Sequence, residues 1–403
     1  MNEPVFIAGT GVISAIGNNV TECLDALENG RAGIGPMTRL DSVHKNRLPV
    51  AEVKLSNEEL ASRTGLPAIK SRTALLSLAA AQEAIRHSGI EDLAAWRCGF
   101  ISANSVGGMD KTENFFREFI ADNNKGQLHD VVDHECGSVT ELVADALGIN
   151  EHVSTISTAC SSSANSIFLG ARLIRNNILD VVIAGGTDSL TRFTLNGFNT
   201  LMILDEQFCQ PFDENRRGLN LGEGAGYVVL VSEKVAATMK HKPEIVLSGY
   251  CNANDAYHQT ASSPDGTGSY LAMSGALKKS GLQPSDIDYI NLHGTATPHN
   301  DLAESLAVHR IFGERPWCSS TKPLTGHALG AAGAIEAAFC WMLLQDNPDG
   351  RLPPHWWDGA ADPALAPLRL VVPGARLGRP PRHLLSNSFA VGGNNACLLL
   401  SAE

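Results

Sequence analysis

The sequence lacks the cysteine patterns of a disulfide-bonded or zinc-binding protein. Its nine cysteines are an odd number, and no two of them are spaced as Cys-x-x-Cys. The first nine residues, Met-Asn-Glu-Pro-Val-Phe-Ile-Ala-Gly, carry no basic side chain and so lack the start of a secretory signal peptide. Since free thiols persist in reducing surroundings, we expect a cytoplasmic protein.

Positive charge and long apolar runs are also scarce. Lys and Arg number 31 against 43 Asp and Glu, which gives a net charge of −12. Without an excess of cations to neutralise phosphates, nucleic acid is excluded as the main partner. The longest apolar runs, such as residues 335–344, contain Glu336 and are too short to span a bilayer. We therefore expect no membrane-spanning segment.

Small and apolar residues are abundant instead. Hydrophobic residues make up 43% of the chain and charged residues 18%, and there are 38 glycines, which is typical of a buried α/β protein with many tight turns. Short β-branched runs alternate with Ala-rich stretches, and this alternation predicts a mostly parallel sheet covered by helices. The predicted strands include residues 5–8, 99–103, 181–185 and 287–292, and the predicted helices include residues 73–87 and 162–175.

A faint internal repeat indicates duplication. Ala-Ile-Arg-His-Ser-Gly-Ile at residues 84–90 is echoed by Ala-Leu-Lys-Lys-Ser-Gly-Leu at 276–282, and residues 224–233 resemble residues 394–403. Because the echoes occur in the same order, we predict two βαβ-rich halves, residues 1–238 and 239–403. The proline-rich stretch 347–381 is expected to be irregular surface structure with one strand at 368–372.

A cysteine follows one of the predicted strands. Residues 157–165 read Ser-Thr-Ala-Cys-Ser-Ser-Ser-Ala-Asn, and a helical pattern begins directly after Cys160. A thiol at such a turn faces the positive end of the helix dipole, which favours the thiolate, and a backbone N–H there can help form an oxyanion hole. The alternative is a buried structural cysteine, the commoner fate of a cysteine in apolar surroundings.

Two histidines stand in similar positions. His293 lies in Asn-Leu-His-Gly-Thr-Ala-Thr at residues 291–297, where a strand ends, and His327 closes Lys-Pro-Leu-Thr-Gly-His at residues 322–327. The carboxyl end of a strand is where ligands usually bind in α/β proteins. Either histidine alone is more commonly satisfied by local hydrogen bonds and has no further role.

Taken together, these motifs resemble a known family. The trio Thr-Ala-Cys-Ser-Ser, His-Gly-Thr-x-Thr and Lys-x-x-Thr-Gly-His, in this order, is similar to the Cys-His-His ketosynthases of fatty acid and polyketide synthesis, ketoacyl synthases I and II. The resemblance covers essentially the whole chain, from Gly-Thr-Gly at 9–11 to Asn-Ser-Phe-Ala-Val-Gly-Gly-Asn at 387–394. It implies an α/β thiolase fold of five layers, αβαβα, built from two duplicated halves.

The resemblance also implies a reaction and its residues. Cys160 would take an acyl group as a thioester, and His293 and His327 would promote decarboxylation of a malonyl extender, whose enolate attacks the acyl-cysteine. Lys322 would tune the local electrostatics, and the backbone N–H groups of Cys160 and Val391 would form the oxyanion hole. No organic cofactor is implied, because both substrates arrive on the phosphopantetheine arm of acyl carrier protein, which Thr295 and Thr297 would bind.

A structural cation is a further implication. Some family members hold a monovalent ion at positions that match Asn291, Glu304, Glu336, Ser386 and Asn387. A buried hydrogen-bond network without an ion accounts for the two glutamates equally well, so the metal stays unknown.

The C-terminal motif departs from the family. The usual Asn-Ser-Phe-Gly-Phe-Gly-Gly-Thr-Asn keeps its first phenylalanine here as Phe389, but Ala390 replaces glycine and Val391 replaces the second, gating phenylalanine. Valine removes a ring and is stiff at χ1, so we expect a wider entrance with weaker gating. The run Cys-Ser-Ser-Ser-Ala-Asn at 160–165 and the motif Gly-Phe-Asn-Thr-Leu-Met-Ile-Leu-Asp at 197–205 are similar to those of ketosynthases of aryl polyene pathways. We therefore expect unusual, conjugated or aryl-primed substrates rather than those of primary fatty-acid synthesis.

The implied partners are acyl carrier protein and a second subunit, identical or related. Carrier protein is acidic, so a basic patch is expected at the entrance, with Lys70, Arg72, Arg216 and Arg217 as candidates. One alternative is a non-catalytic chain-length factor, but such subunits usually lack the cysteine. A degradative thiolase would use a second cysteine near the C-terminus, whereas Cys397 lies in a strand-like apolar run. A cysteine hydrolase would leave the paired histidine motifs unexplained.

Overall fold

The computed structural model describes residues 3–122 and 131–403. The predicted elements form, although the strand predicted at 5–8 extends to Ser14 and the one predicted at 287–292 spans only Tyr289–Asn291. The strands are β1 (Val5–Ser14), β2 (Cys98–Ala103), β3 (His152–Ile156), β4 (Val181–Asp188), β5 (Gly224–Ser232), β6 (Ile245–Asn254), β7 (Tyr289–Asn291), β8 (Trp317–Ser319), β9 (Arg369–Leu370), β10 (His383–Phe389) and β11 (Asn394–Ala402). The helices are α1 (Val20–Glu28), α2 (Asn57–Thr64), α3 (Arg72–Ser88), α4 (Met109–Ala121), α5 (Cys136–Leu147), α6 (Ser162–Arg175), α7 (Arg192–Thr200), α8 (Glu233–Ala236), α9 (Thr267–Ser280), α10 (Pro298–Phe312), α11 (Lys322–Thr325) and α12 (Ala332–Leu344).

The strand order repeats itself. The strands hydrogen-bond in the order β3-β2-β4-β5-β1-β6-β11-β10-β7-β8-β9. If the short β9 is set aside, both halves show the same order from the outer edge of the sheet to its centre. Numbered along their own half of the chain, the strands run third, second, fourth, fifth, first. One bridge, between Phe6 and Val246, joins β1 to β6, so that a first sheet (β1 to β5) and a second sheet (β6 to β11) are continuous. This arrangement supports duplication, and the boundary at residue 238 stays a prediction.

The prediction of a mostly parallel sheet is wrong. Five of the ten pairings between the described strands are antiparallel: β5 runs against both β4 and β1, β11 runs against both β10 and β6, and β1 runs against β6. Parallel pairs are confined to the β3-β2-β4 and β10-β7-β8-β9 groups. Buried strands of either direction carry similar apolar runs, so composition did not distinguish them.

Five layers follow from the way the helices pack. Helices α3 and α5 cover one face of the first sheet, α6 and α12 lie between the two sheets, and α9 covers the outer face of the second. Alternate residues of β5 show why: Tyr227 and Val229 join the core under α3, whereas Val228 and Leu230 join the core around α6 and α12. Period-two burial on both faces is the pattern of a sheet packed between helices. The five-layered α/β thiolase-type architecture is confirmed.

Two smaller observations complete the fold. Residues 347–381 contain the two-residue strand β9 within otherwise irregular structure, shorter than the predicted strand at 368–372. Within residues 3–122 and 131–403, the helices are too short or too polar for any of them to traverse a bilayer.

Candidate active site

Cys160 lies in the turn between β3 and α6. The residue before it, Ala159, has a φ of 53°, in the left-handed region that non-glycine residues rarely adopt. The Ser162 hydroxyl stabilises the turn, since it donates to the Ala159 carbonyl at 2.5 Å and accepts from the Thr158 N–H at 2.8 Å. Strained backbone of this kind is kept where it aims a functional group. It places the Cys160 thiol, 5% exposed, beside the first turn of α6.

His293 stands two residues beyond the end of β7. Its N–H donates to Glu304 Oε1 at 2.8 Å, and the N–H of Gly294 donates to Glu304 Oε2 at 2.8 Å. The same carboxylate accepts a bond of 3.0 Å from Asn387 Nδ2 on β10. The buried Glu304 carboxylate on α10 therefore links two elements: the turn that contains His293 and the neighbouring strand β10.

His327 follows the short helix α11. Gly326, with a φ of 65°, reverses the chain before it. The His327 N–H donates to the carbonyl of Asn220 at 2.8 Å, and its own carbonyl accepts from the N–H of Gly222 at 3.0 Å. This short pairing with residues 220–222 holds the His327 imidazole against the turn that contains Cys160.

Lys322 begins α11 and is buried with a single carboxylate. Its Nζ donates to Glu336 Oε1 at 2.6 Å, and the two side chains are 1% and 3% exposed. A buried ammonium needs such a partner, because an unpaired charge away from water is costly.

The structure brings these side chains together. His327 Nε2 lies 3.1 Å from Cys160 Sγ. One ring nitrogen of each histidine and the sulfur lie within 4.8 Å of one another, and the two imidazole rings are 5.4 Å apart at an angle of 85°. Two imidazoles thus converge on the space above one thiol.

Both imidazoles are neutral in the resting site. Burial lowers the pKa of His327 well below its usual range, and the positive charge of Lys322 adds to the effect. The pKa of His293 is lowered for the same reasons, with a further contribution from His327. Each ring therefore has one N–H to donate, which suits stabilisation of a developing oxyanion.

The backbone N–H groups around Cys160 favour the thiolate, but burial has the larger and opposite effect. Burial raises the pKa of the Cys160 thiol, although the N–H of Val391, the charge of Lys322 and the cysteine's own N–H oppose it. Desolvation outweighs the favourable dipoles because the thiol has so little contact with water. The resting Cys160 side chain is therefore a thiol beside a neutral imidazole that can accept its proton.

Alkylation kinetics test this. We expect the rate of Cys160 alkylation by iodoacetamide to rise about tenfold per pH unit between about pH 6.5 and 8.5, since the thiolate fraction rises in that proportion below the pKa. Peptide mass spectrometry would follow Cys160, with the half-buried Cys251 as an internal reference. A rate that has already levelled off at pH 7 would contradict the raised pKa.

Two cavities meet at the thiol. One is largely apolar, has a volume of about 550 Å³ and is lined by residues that include Val106 and Leu329. The other, of about 80 Å³, leads past His293. Cys160, Phe198 and Val391 line both, so the thiol and the valine stand at their junction.

The remaining predicted residues line the narrower cavity. Phe389 is buried, with its ring 6.1 Å from that of His293, and Val391 is 38% exposed. The hydroxyls of Thr295 and Thr297 are 2.9 Å apart and bond to each other. Both threonines are part of the cavity wall, where a ligand with amide groups would find them.

A set of buried oxygens lies behind the site. Within the described residues, Asn291 Oδ1, Glu336 Oε2, Ser386 Oγ and Asn387 Oδ1 have no hydrogen-bond partner. Unpaired buried acceptors are unusual, and amide, carboxylate and hydroxyl oxygens are the ligands of hard cations. The chemistry of these four oxygens fits a monovalent cation, whereas Glu304, whose carboxylate accepts three hydrogen bonds, fits the network without an ion. Such an ion would support the strand ends that carry the site.

Comparison with known families decides the identity. The family model described as "Beta-ketoacyl synthase, N-terminal domain" matches residues 2–236, and that described as "Beta-ketoacyl synthase, C-terminal domain" matches residues 245–355. The chain belongs to the β-ketoacyl synthase family. It is therefore an acyltransferase that joins acyl units by condensation.

Individual relatives match over nearly their full length. Nodulation protein E of Rhizobium meliloti is 32% identical over 405 residues, which cover 99% of each chain. The 3-oxoacyl-[acyl-carrier-protein] synthase 2 of Staphylococcus aureus is 32% identical over 410 residues, covering 99% of this chain and 98% of that protein.

Two solved structures that contain a ketosynthase and a chain length factor are also similar. A chain of the complex of ketosynthase ApeO with its chain length factor ApeC, from Xenorhabdus doucetiae, has 33% identity and a TM-score of 0.86 and covers 100% of this chain and 98% of that one. A chain of the ishigamide ketosynthase/chain length factor has 28% identity and a TM-score of 0.92, with full coverage of both.

For two of the four basic residues, the prediction that they lie at the entrance of this β-ketoacyl synthase is wrong. Arg72 is 8% exposed and donates from Nε and Nη2 to the buried carboxylate of Glu223. The Arg216 side chain is also 8% exposed and donates to Asp362 at 2.5 Å. Sequence gave no sign of these acidic partners, which lie 151 and 146 residues away. Lys70 and Arg217 remain candidates.

Sequence reasoning missed the supports of this β-ketoacyl synthase site. Phe198 was seen only as part of a motif, and Asn220 and Glu223 were not assigned a role. Glu223 accepts from the N–H groups of Val53 and Leu190 as well as from Arg72. The available sign of a structural role for Glu223 was its position in the glycine-rich run 222–226. An acidic residue in such a run is best explained by a buried structural role.

Proposed function

We propose that this β-ketoacyl synthase carries its growing acyl chain on Cys160 and extends it with a malonyl unit. The observation that carries the proposal is the 3.1 Å contact of Cys160 Sγ with His327 Nε2 at the junction of the large apolar cavity and the smaller cavity that both histidines line. The thiol gives its proton to an imidazole and attacks the acyl thioester. The carrier's pantetheine thiol takes that proton and leaves.

The extender is activated by loss of carbon dioxide. The malonyl thioester lies in the narrower cavity. There His293 and His327, the latter now in the neutral tautomer that carries its proton on Nε2, donate N–H groups to its carbonyl oxygen. The carbon–carbon bond to the carboxylate breaks, and its electron pair becomes an enolate. Neutral imidazoles stabilise charge that appears only in this step, so they lower the barrier without tightening ground-state binding. Lys322 adds a nearby positive charge.

Condensation closes the cycle. The enolate carbon attacks the carbonyl of the acyl-cysteine, and the N–H groups of Cys160 and Val391 receive the oxyanion of the tetrahedral intermediate. The carbonyl then re-forms, the cysteine sulfur leaves and is reprotonated, and the β-ketoacyl chain remains on the carrier. Thr295 and Thr297 hold the phosphopantetheine arm, so that no other organic cofactor is required.

We further propose that a second subunit completes the acyl cavity, either identical or a related ketosynthase-like chain. Strand β3 is the edge of the sheet, and among the described residues its outer side pairs with no strand. Phe193 and Leu201 line the large cavity and are nevertheless 58% and 46% exposed. A subunit seated along β3 would remove this apolar wall from water. Acyl carrier protein is the second partner, with Lys70 and Arg217 as candidates for its docking site.

We also propose a specialised primer, of the aryl polyene or related conjugated type. Val391 stands at the junction of the two cavities, where the family places a phenylalanine gate. A valine there leaves room for a rigid chain that does not bend past an aromatic ring. Because this chain retains the thiol, both imidazoles and the lysine, we propose that it is the active subunit of any heterodimer rather than its chain-length factor.

Restoring the aromatic ring should reverse this preference. We expect Val391→Phe to lower kcat/KM for an aryl-polyenyl primer about tenfold or more, since a ring at the junction obstructs a rigid chain. A flexible saturated primer should change by less than about threefold. Val372→Phe, on an exposed surface valine, is the matched control. An equal loss with both primers would contradict a gating role.

Intact mass spectrometry tests the proposal as a whole. The protein, alone and with its partner subunit, would be incubated with saturated or aryl-polyenyl primers on carrier protein, and peptide mapping would locate the adduct. Malonyl carrier is then added. An adduct on Cys160 that is discharged as a β-ketoacyl carrier supports the reaction. Failure of every primer to acylate Cys160 in the complete assembly would overturn it, and preference for saturated medium-length primers would overturn the specialised substrate.

A further inference from the structure

Asp188 is a buried carboxylate that the proposed mechanism does not use. It is the last residue of β4 and is 0% exposed. Within the described chain its hydrogen-bond donors are backbone N–H groups and a serine hydroxyl rather than a cation. Burying a carboxylate without a cationic partner is costly, so the position calls for an explanation.

The carboxylate joins two segments that are far apart in sequence. The N–H of Ser105, in the loop after β2, donates to Asp188 Oδ1 at 2.9 Å and to Oδ2 at 3.1 Å. The N–H of Gly330, three residues after His327, donates to Oδ2 at 2.7 Å. Gly330 also donates to the Ser105 hydroxyl at 3.0 Å. Asp188 thereby ties the loop after β2 to the turn after His327.

The turn that it holds is strained. Leu329 has a φ of 50°, an unfavourable value for a leucine. A Cβ on Gly330 would lie 2.8 Å from Asp188 Oδ2 and 2.9 Å from the Ser105 hydroxyl, so the backbone must approach the carboxylate closely. Strain persists where surrounding contacts over-determine the conformation, and the charge-assisted bonds to Asp188 supply such contacts.

Both tied segments form walls of the apolar cavity. Ser105, Val106 and Leu329 line it together with Cys160. The Asp188 charge also acts on the thiol, since it is one of the groups that raise the pKa of Cys160. The carboxylate is therefore close to the nucleophile and behind the surface that an acyl chain would touch.

We propose that Asp188 is a positioning residue that sets the shape of the acyl cavity by clamping the Ser105–Val106 loop to the strained Leu329–Gly330 turn. The inference rests on Cys160 holding the acyl chain. Short acyl groups stop near the thiol, whereas longer ones extend along the walls that Asp188 holds. Its loss should thus penalise long primers and spare short ones.

Asp188→Asn tests the clamp with little change in shape. The amide keeps one oxygen acceptor, but its NH₂ group cannot accept, so at least one of the two backbone donors loses its partner. We expect acylation of Cys160 by acetyl carrier to stay within about twofold, and acylation by primers of about ten carbons or more to slow about tenfold. Intact mass spectrometry on the full protein and its partner would give both rates.

Asp110→Asn is the matched control. Asp110 is also a buried carboxylate, and it accepts from the Ser71 hydroxyl at 2.6 Å and from the Arg72 N–H at 2.9 Å. It lines neither cavity at the thiol. Its amide variant should affect thermal stability but leave the ratio of long-primer to short-primer rates unchanged.

The pH dependence of the unmutated protein tests the same inference even if Asp188→Asn fails to fold. Burial raises the pKa of Asp188 to about 7, so the clamp loses its charge below neutrality. We expect the long-to-short ratio to fall by about threefold or more from pH 8 to pH 6, since hydrogen bonds to a charged acceptor are the stronger ones. This ratio should be independent of pH in Asp188→Asn.

Other titrating groups near the site do not mimic this change. The thiols of Cys160 and Cys136 and the phenol of Tyr227, which feel the charge of Asp188, have raised pKa values and stay protonated between pH 6 and 8. The pKa of Glu304 is raised to about 7, but its contacts fix the turn of His293 and not the acyl cavity. Its titration alters all primers alike and cancels in the ratio.

The outcomes separate this inference from the proposed function. A selective, pH-dependent loss of long primers supports the clamp. An equal loss for all primers, or a length ratio that is unchanged in the variant and with pH, overturns it while Cys160-dependent acylation still stands. Absence of acylation at Cys160 in the unmutated protein overturns the proposed function instead.

Discussion

Replacing Cys160 with alanine should abolish condensation, with kcat falling by at least about 10⁴-fold. The acyl chain is then left without a covalent attachment, and no neighbouring group replaces the sulfur that His327 contacts at 3.1 Å. Steady-state formation of β-ketoacyl carrier, together with the mass of the protein after exposure to primer, would measure both halves of the reaction.

The control for this variant is another thiol. Cys251→Ala removes a half-buried cysteine on β6 that lines neither cavity at the active site, and it should retain full activity. Stable acylation of Cys160→Ala at a second cysteine would show that the covalent chain rests elsewhere. Cys136, whose thiol contacts Ser157 in the wall of the apolar cavity, would then be the first position to inspect.

Replacing Lys322 with methionine should damage both stability and activity. The free energy of unfolding should fall by about 3–5 kcal/mol, because Glu336 is left as a buried carboxylate without its partner. Activity should fall about 10²- to 10³-fold, as expected when a preorganised charge is removed from beside a reacting site. Denaturant unfolding and steady-state kinetics would measure the two effects separately.

The double variant distinguishes the two roles of the lysine. Lys322→Met with Glu336→Leu removes both charges of the pair and should recover most of the lost stability while activity stays low. Arg376→Met, which breaks an exposed pair with Asp349, should cost less than about 1 kcal/mol. A Lys322→Met protein as stable as the original would show that the pair is not the structural support it is taken to be.

Sequence patterns located most of the elements and the functional motifs. The helix predicted at residues 162–175 is α6 as observed, and the strand predicted at 99–103 is β2 with one residue added. Apolar periodicity and turn residues are local properties, and local properties are what a single sequence reports well. Cys160, His293 and His327 were singled out because the three motifs that contain them together resemble those of the Cys-His-His ketosynthases.

What the sequence did not disclose depends on distant partners. Arg72 was taken for a surface charge because its partner Glu223 is 151 residues away. The direction of β5 and β11 could not be inferred, since a buried strand has the same composition in either direction. The raised pKa of Cys160 likewise results from burial that only the folded chain creates.

The repeated strand order has a consequence for the history of this protein. The two halves share one architecture, yet the thiol comes from the first and both imidazoles and the ammonium come from the second. Each half contributes groups that the other lacks, so neither half can replace the other. A change that is harmless at one position has no reason to be harmless at its counterpart, and loss of either copy ends catalysis. The two halves thus share a strand order but contribute different side chains to the site.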